Sequence, residues 1–167
     1  MYDAYRNKTN RTVLAGTPLK AGEFHLITHV CIFNQAGELL IQKRQSTKRK
    51  WPNQWDVSVG GKVNAGETSQ QGAARELKEE LNLDIDLTGI RPHFTLNFEH
   101  GFDDVFLLEK EVDLSQLSLQ SDEVQAVQWA SKEEVFALLA RDEFVSYLPS
   151  LVEFIFAMRK QRSYIRG

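Results

Sequence analysis

The sequence predicts an α+β fold, a mixed β-sheet with helices on both of its faces. Three observations predict it. Strand-like runs lie on either side of one strongly patterned helix at Thr68–Leu81. Two further helical patterns close the chain, at Lys132–Ala140 and Ser146–Tyr164. The 167 residues, 42% of them apolar, are enough to bury the core of one domain and too few for two, so residues 1–167 are read as one domain.

Each element has its own signal. Met1–Gly22 is polar and punctuated by Gly16, Pro18 and Gly22, with a short β-like piece at Thr12–Leu14, and reads as an N-terminal arm or hairpin. His25–Phe33 is β-branched and apolar; turn residues at Asn34–Gly37 lead into Glu38–Lys43, which completes a hairpin. Gln45–Asn53 is a basic loop containing Pro52, and Asp56–Val59 is a short β-like run entering Gly60 and Gly61. For the helix, Thr68 is the N-cap and Gln71 completes a capping box. Ala73, Ala74, Leu77 and Leu81 form its apolar stripe, and Asn82 stands where a left-handed C-terminal residue is expected. Gly72 inside the helix loses about 1 kcal/mol relative to Ala. Ile90–Phe98, Val105–Val112 and Glu123–Trp129 read as strands. Ser131 and Glu134 cap the helix at Lys132–Ala140, and the last helix carries Leu148, Leu151, Val152, Ile155, Phe156 and Arg159 on one side.

Composition excludes several classes. Lys and Arg number 20 against 23 Asp and Glu, a net charge of −3, which argues against general nucleic-acid binding. Apolar stretches such as Val30–Phe33 and Val105–Leu108 are too short to cross a bilayer. No basic-then-apolar pattern opens the chain, and the single cysteine, Cys31, excludes an intramolecular disulfide framework. These features predict a cytoplasmic protein that binds neither nucleic acid nor membrane.

The chemistry concentrates between Gly61 and Leu83. Glu76, Glu79 and Glu80 share one side of the helix, at i, i+3 and i+4. Like charges at this spacing destabilise a helix by roughly 0.2–0.5 kcal/mol per pair. Two of them 4 Å apart repel by about 4 kcal/mol at an effective dielectric of 20, and a divalent cation reverses that sign. Oxygen-only ligands suit Mg²⁺ or Mn²⁺ and not zinc. Arg75, four before Glu79, relieves part of the repulsion. Glu67 precedes the helix start, Gly60 and Gly61 let backbone come close to a ligand, and basic Lys62 follows. Metal plus phosphate fits this loop and helix, and the matching chemistry is attack of water on a phosphoanhydride.

The segment resembles the Nudix box: Gly, five residues, Glu, seven residues, then Arg-Glu-apolar-x-Glu-Glu-x-Gly-apolar. Gly61, Glu67, Arg75, Glu76, Leu77, Glu79, Glu80 and Leu83 stand at the required positions. Six fixed identities at a usage of roughly 7% each match by chance on the order of 10⁻⁷ times per start position. Asn82 replaces the last glycine of the box.

The resemblance implies an α/β/α sandwich around the mixed sheet and a metal-dependent hydrolase. Its substrate class would be a nucleoside diphosphate linked to another moiety, a small molecule. Glu76, Glu79 and Glu80 would bind Mg²⁺ or Mn²⁺ with the Gly61 carbonyl, and Glu67 and Arg75 would orient the metal carboxylates. The general base varies within the family: a box glutamate, or one of Glu99, Asp103, Asp104 and Glu123, with Glu123 preferred as an extra catalytic or metal residue. Family members are often dimers, so the resemblance also implies a homodimer to which the arm could contribute.

The runs HLITHVCIFNQAGELLIQKR and KRKWPNQWDVSVGGKVNAGE are similar to the Nudix branch related to isopentenyl-diphosphate isomerase. That isomerase needs a cysteine before the glycine-histidine that opens its box. Gly60, Gly61 and Lys62 stand there instead, so hydrolysis ranks above isomerisation. His25 matches one isomerase metal ligand without its partner histidine, and Cys31 reads as a small buried apolar residue. A non-catalytic nucleotide-binding module is a third class; the intact Glu76, Glu79 and Glu80 argue against it.

Lys43, Arg44, Lys48, Arg49, Lys50 and Lys62 could form an electropositive rim, with Arg44, Lys48 and Lys62 the substrate-binding candidates. Trp51 could stack on a base, while Trp55 reads as core. His29, His93 and His100 have no metal-like spacing and receive no role. The basic run Arg159–Arg166 reads as a helix end.

Overall fold

His25–Phe33 forms β1, and its side chains divide between two faces as the period of two requires. The structure, a computed structural model, describes residues 1–160. After β1 come β2 (Leu39–Arg44), β3 (Trp55–Asp56), β4 (Val59–Lys62) and α1 (Ser69–Leu81). Then follow β5 (Phe94–Phe98), β6 (Gly101–Glu109), β7 (Val124–Ala130), α2 (Lys132–Ala140) and α3 (Pro149–Met158). The seven strands form one mixed sheet, in which β1 and β6 are parallel and the remaining pairs antiparallel.

Helices cover both faces, as the sequence predicts. Val30, Ile32, Leu40, Val59 and Phe106 pack beneath Ala73, Leu77 and Leu81 of α1. Cys31, Phe33, Leu39, Ile41, Val105 and Leu107 pack against Val135 and Leu138 of α2 and Val152, Ile155 and Phe156 of α3. Trp55 joins this second layer, and Cys31 is fully buried.

Between β1 and β2 the sheet opens. The two strands pair only at Phe33 and Leu39. Below that point the chain of β3 and β4 fills the gap, β3 on the edge of β2 and β4 on the edge of β1. Ser58, at the crossing, accepts from the Ile32 amide (2.8 Å) and donates to the Leu40 carbonyl (2.6 Å). One hydroxyl thereby satisfies backbone groups that a β1–β2 ladder would otherwise pair. This switch of partner is why the run at Asp56–Val59 is two short strands and not one.

Other expectations are corrected at element ends. Thr12–Leu14 is no strand; the arm instead bridges through Tyr2, which pairs with Lys8 and Phe24. The run from Ile90 becomes a strand only at Phe94, because Pro92 lacks the amide a ladder needs. The run from Val105 begins earlier, at Gly101, because the buried carboxylates of Asp103 and Asp104 find partners in His29 of β1, Thr95 of β5 and Arg6 of the arm. The last helix starts at Pro149, whose ring suits a first turn, and not at Ser146. Residues 161–164 of that helix, and Arg162 and Arg166 of the basic run, lie outside the described residues. Among the described residues no helix is long and apolar enough to cross a membrane.

Candidate active site

Local chemistry fixes α1 at both ends. The Thr68 hydroxyl accepts from the Gln71 amide (3.2 Å) and the Gln71 side chain returns a bond to the Thr68 amide (2.8 Å). Asn82 adopts the left-handed cap at φ 55°. A Cβ at Gly72 would press on Val63, so the glycine inside the helix serves close packing onto the loop.

Between these ends, Arg75 gathers the box carboxylates. Its Nε and Nη2 donate to Glu67 (2.8 and 3.2 Å). Nη2 also donates to the Lys62 carbonyl (2.7 Å), and Nη1 to Glu76 and Glu79 (2.8 Å each). Glu67 further accepts from the Asn64 amide (2.8 Å). The Arg75 bonds hold the Glu67 carboxyl below the usual carboxylate range, and the guanidinium in turn is held more firmly protonated.

Glu76 and Glu80 behave differently. Burial pushes the Glu76 carboxyl up against the opposing pull of Arg75, with the charges of Glu79 and Glu123 adding to the rise. Glu80 is 5% exposed, and burial pushes its carboxyl up to about 8. A bond from Gln42 Nε2 (2.8 Å) counters this; the charges of Glu76, Glu123 and Asp56 reinforce it. Gln42 Oε1, buried beside Glu80, has no hydrogen-bond partner. Gly61 admits the Glu76 side chain, since a Cβ at 61 would overlap its carboxylate.

Among the described residues no three His, Cys, Asp or Glu side chains are already spaced to hold a metal ion. The reason lies in the ion pairs: Arg75 stands between Glu76 and Glu79, and Glu80 faces Gln42. The donor set nevertheless fits a hard divalent cation. It is all oxygen, it includes a buried carboxylate whose ionisation burial opposes, and it lies beside an orphaned amide oxygen.

The remaining expected residues fall in several places. Glu123 pairs with Lys48, and its charge reaches Glu76 and Glu80. Arg44 bonds Asp56 (3.1 Å), and Lys62 is exposed at the end of β4. Asp103 is committed to His29 and Asp104 to Arg6 and Thr95. Glu99 lies at an exposed turn beside His100. His25 has its pKa lowered by burial, then by the charges of Lys62, His100 and Lys50. Trp51 is 44% exposed, with Lys50 Nζ 5.8 Å from its ring centre.

Sequence reasoning missed Gln42, Asp56, His29 and Tyr147. Tyr147 donates to Asp56 (2.8 Å). Burial acts to lower the His29 pKa, but the hydrogen bond and charge of Asp103 outweigh it and raise it. A signal existed for His29, a polar residue inside an otherwise apolar strand run; Gln42 and Asp56 stand at the polar ends of theirs. Tyr147, in the loop before α3, carried none.

Residues 23–150 match the NUDIX domain family. The chain is 51% identical over 142 residues to a Nudix hydrolase of Listeria monocytogenes, covering 85% of this chain and 84% of that one. It is 33% identical over 123 residues to isopentenyl-diphosphate Delta-isomerase of Salmonella heidelberg, covering 69% of this chain and 66% of the isomerase. Among solved structures it is similar to a Deinococcus radiodurans protein at a TM-score of 0.75 and 26% identity, covering 92% of this chain and 96% of the other. It is also similar to a MutT protein from Methanosarcina mazei at a TM-score of 0.64 and 25% identity, covering 83% and 97%.

Proposed function

The chain belongs to the Nudix family and is a hydrolase of pyrophosphate bonds, and on that premise we propose that it cleaves a small nucleoside diphosphate-linked substrate with the help of Mg²⁺ or Mn²⁺. The observation that carries this reading is the buried Glu80 beside Gln42, on the same helix as Glu76 and Glu79. Burial without a cation leaves Glu76 and Glu80 electrostatically costly, and of these two Arg75 compensates only Glu76. The cation would be held by Glu76, Glu79, Glu80 and the Gly61 carbonyl, with Glu67 and Arg75 orienting the carboxylates. When bound it would neutralise phosphate oxygens and ease proton loss from the attacking water.

The chain's own groups do the rest. Of the four carboxylates outside the box, Glu123 is favoured as proton acceptor because its charge reaches Glu76 and Glu80, whereas the buried Asp103 and Asp104 are spent on His29, Arg6 and Thr95. Lys62 meets the substrate phosphates directly. Arg44 and Lys48 must first exchange their bonds to Asp56 and Glu123. The test is ³¹P NMR of the protein with Mg²⁺ or Mn²⁺ and a panel of nucleoside diphosphates, triphosphates, dinucleotides and nucleotide sugars. New phosphate resonances from one class, abolished by chelator, are expected. Cleavage that persists undiminished after complete metal removal would overturn the cation assignment.

The likeness to isopentenyl-diphosphate isomerase favours a second reading, and Gly60 weighs against it. A Cβ at 60 would overlap the His29 ring, so a cysteine there would have to displace that ring. The parent chain, with Gly60 there, is therefore expected to yield no isomerisation of isopentenyl diphosphate by proton NMR; appearance of the isomer would reinstate that reading.

A further inference from the structure

His29, Asp103 and Tyr147, on the side of β4 away from α1, have no catalytic part in the reading above. Gly60 and Gly61 are successive strand residues, so they face opposite sides of the sheet. A side chain on Gly61 would overlap the Glu76 carboxylate; one on Gly60 would overlap the His29 imidazole. The backbone of β4 is thus held between two side chains, Glu76 on the side of α1 and His29 on the other.

His29 is itself fixed. Its Nδ1 lies 2.9 and 2.8 Å from the two carboxylate oxygens of Asp103. Its Nε2 lies 3.5 Å from the Tyr147 hydroxyl, with the rings edge to face at 89°. Tyr147 donates to Asp56, and Asp56 is paired with Arg44. The next residues on this face of β1 are Cys31 and Phe33, both in the apolar core. A polar chain that continues such a core is tolerated only when each member is bonded, and here each is.

We propose that His29, locked by Asp103, is a positioning residue that braces the Gly60–Gly61 backbone and so holds β4 against the Glu76 carboxylate on its other face. This rests on the reading of Glu76 as a cation ligand. Side chains that hold ligands in place typically matter by 10–100-fold in metal affinity.

The test is Mn²⁺ binding to the full chain, followed by the electron paramagnetic resonance of free Mn²⁺, with a thermal melt of each variant. His29→Ala is expected to weaken binding roughly 10–100-fold. Gly60→Ala is expected to weaken it in the parent chain, where the added methyl strikes the ring, and to add little once His29 is Ala. His29→Gln, which can still bond Asp103, falls between parent and His29→Ala. If His29→Ala does not fold, Asp103→Asn, with its volume kept and its charge gone, is expected to show the same weakening. Parent-like Mn²⁺ affinity in a folded His29→Ala protein (or in Asp103→Asn, where that one must stand in) overturns the proposal, as does equal harm from Gly60→Ala in both backgrounds. A parent chain that binds no Mn²⁺ overturns the cation reading itself, and this proposal with it.

Discussion

Glu80→Gln is expected to lower turnover on the order of 10³–10⁴-fold while leaving the fold intact. The two effects have one cause. Glu80 is 5% exposed, and its carboxyl is pushed up to about 8 by burial. Because the folded value lies above the ordinary one, the stability contributed by the neutral form is fully present below the ordinary carboxyl pKa. It is lost as the pH rises through about 8. Glutamine has the same volume, carries no charge, and its amide oxygen can still accept from Gln42 Nε2. At pH 8 without metal, the variant should therefore melt above the parent, by about 2–4 °C for each kcal/mol recovered. Added Mn²⁺ should raise the parent's Tm and barely move the variant's, since binding to the native state alone is what stabilises it. Rates by ³¹P NMR and melts with chelator or Mn²⁺ read all of this. Turnover within tenfold of the parent with an unchanged melt would remove Glu80 from the site. A steep fall in the metal-free Tm would make its role structural.

Legibility in the sequence followed the range of the interactions. The box helix was readable because its determinants are local: the cap pair Thr68 and Gln71, the left-handed Asn82, and the i, i+3, i+4 spacing of Glu76, Glu79 and Glu80. The two-faced sheet was readable from the order of strand and helix patterns. The surroundings of the carboxylates were not, because they converge from separate elements. Gln42 comes from β2, Asp56 from β3, His29 from β1 and Tyr147 from the loop before α3. Charges inside strands misled in the same way: Asp103 and Asp104 read as loop until His29, Arg6 and Thr95 appeared beside them. Arg75 shows both halves in one residue. Spacing disclosed its pair with Glu79; only the fold brings it to the Lys62 carbonyl, across the loop that separates β4 from α1.

Arg75→Ala is the second large effect to expect, and it should depend on metal in the opposite sense to Glu80→Gln. One guanidinium serves Glu67, Glu76, Glu79 and the Lys62 carbonyl, and its side chain is 24% exposed. Its removal leaves the mostly buried Glu76 uncompensated and a backbone carbonyl unpaired. Losses of this kind amount to about 2–4 kcal/mol, so the metal-free Tm should fall by roughly 5–10 °C. Arg75→Lys should recover less than half of that, because an ammonium supplies a point charge where a planar fork makes five bonds. Mn²⁺ should narrow the gap between Arg75→Ala and the parent, since a cation at Glu76 and Glu79 neutralises the charges that Arg75 no longer does. Turnover with saturating Mn²⁺ should still fall roughly 10–100-fold, because Glu67 and Arg75 no longer orient the carboxylates. The measurement is a pair of melts, with chelator and with Mn²⁺, for parent, Arg75→Ala and Arg75→Lys. If the deficit of Arg75→Ala is the same in both solutions, the guanidinium and the cation do not act on the same carboxylates, and the proposed ligand set at Glu76 and Glu79 fails.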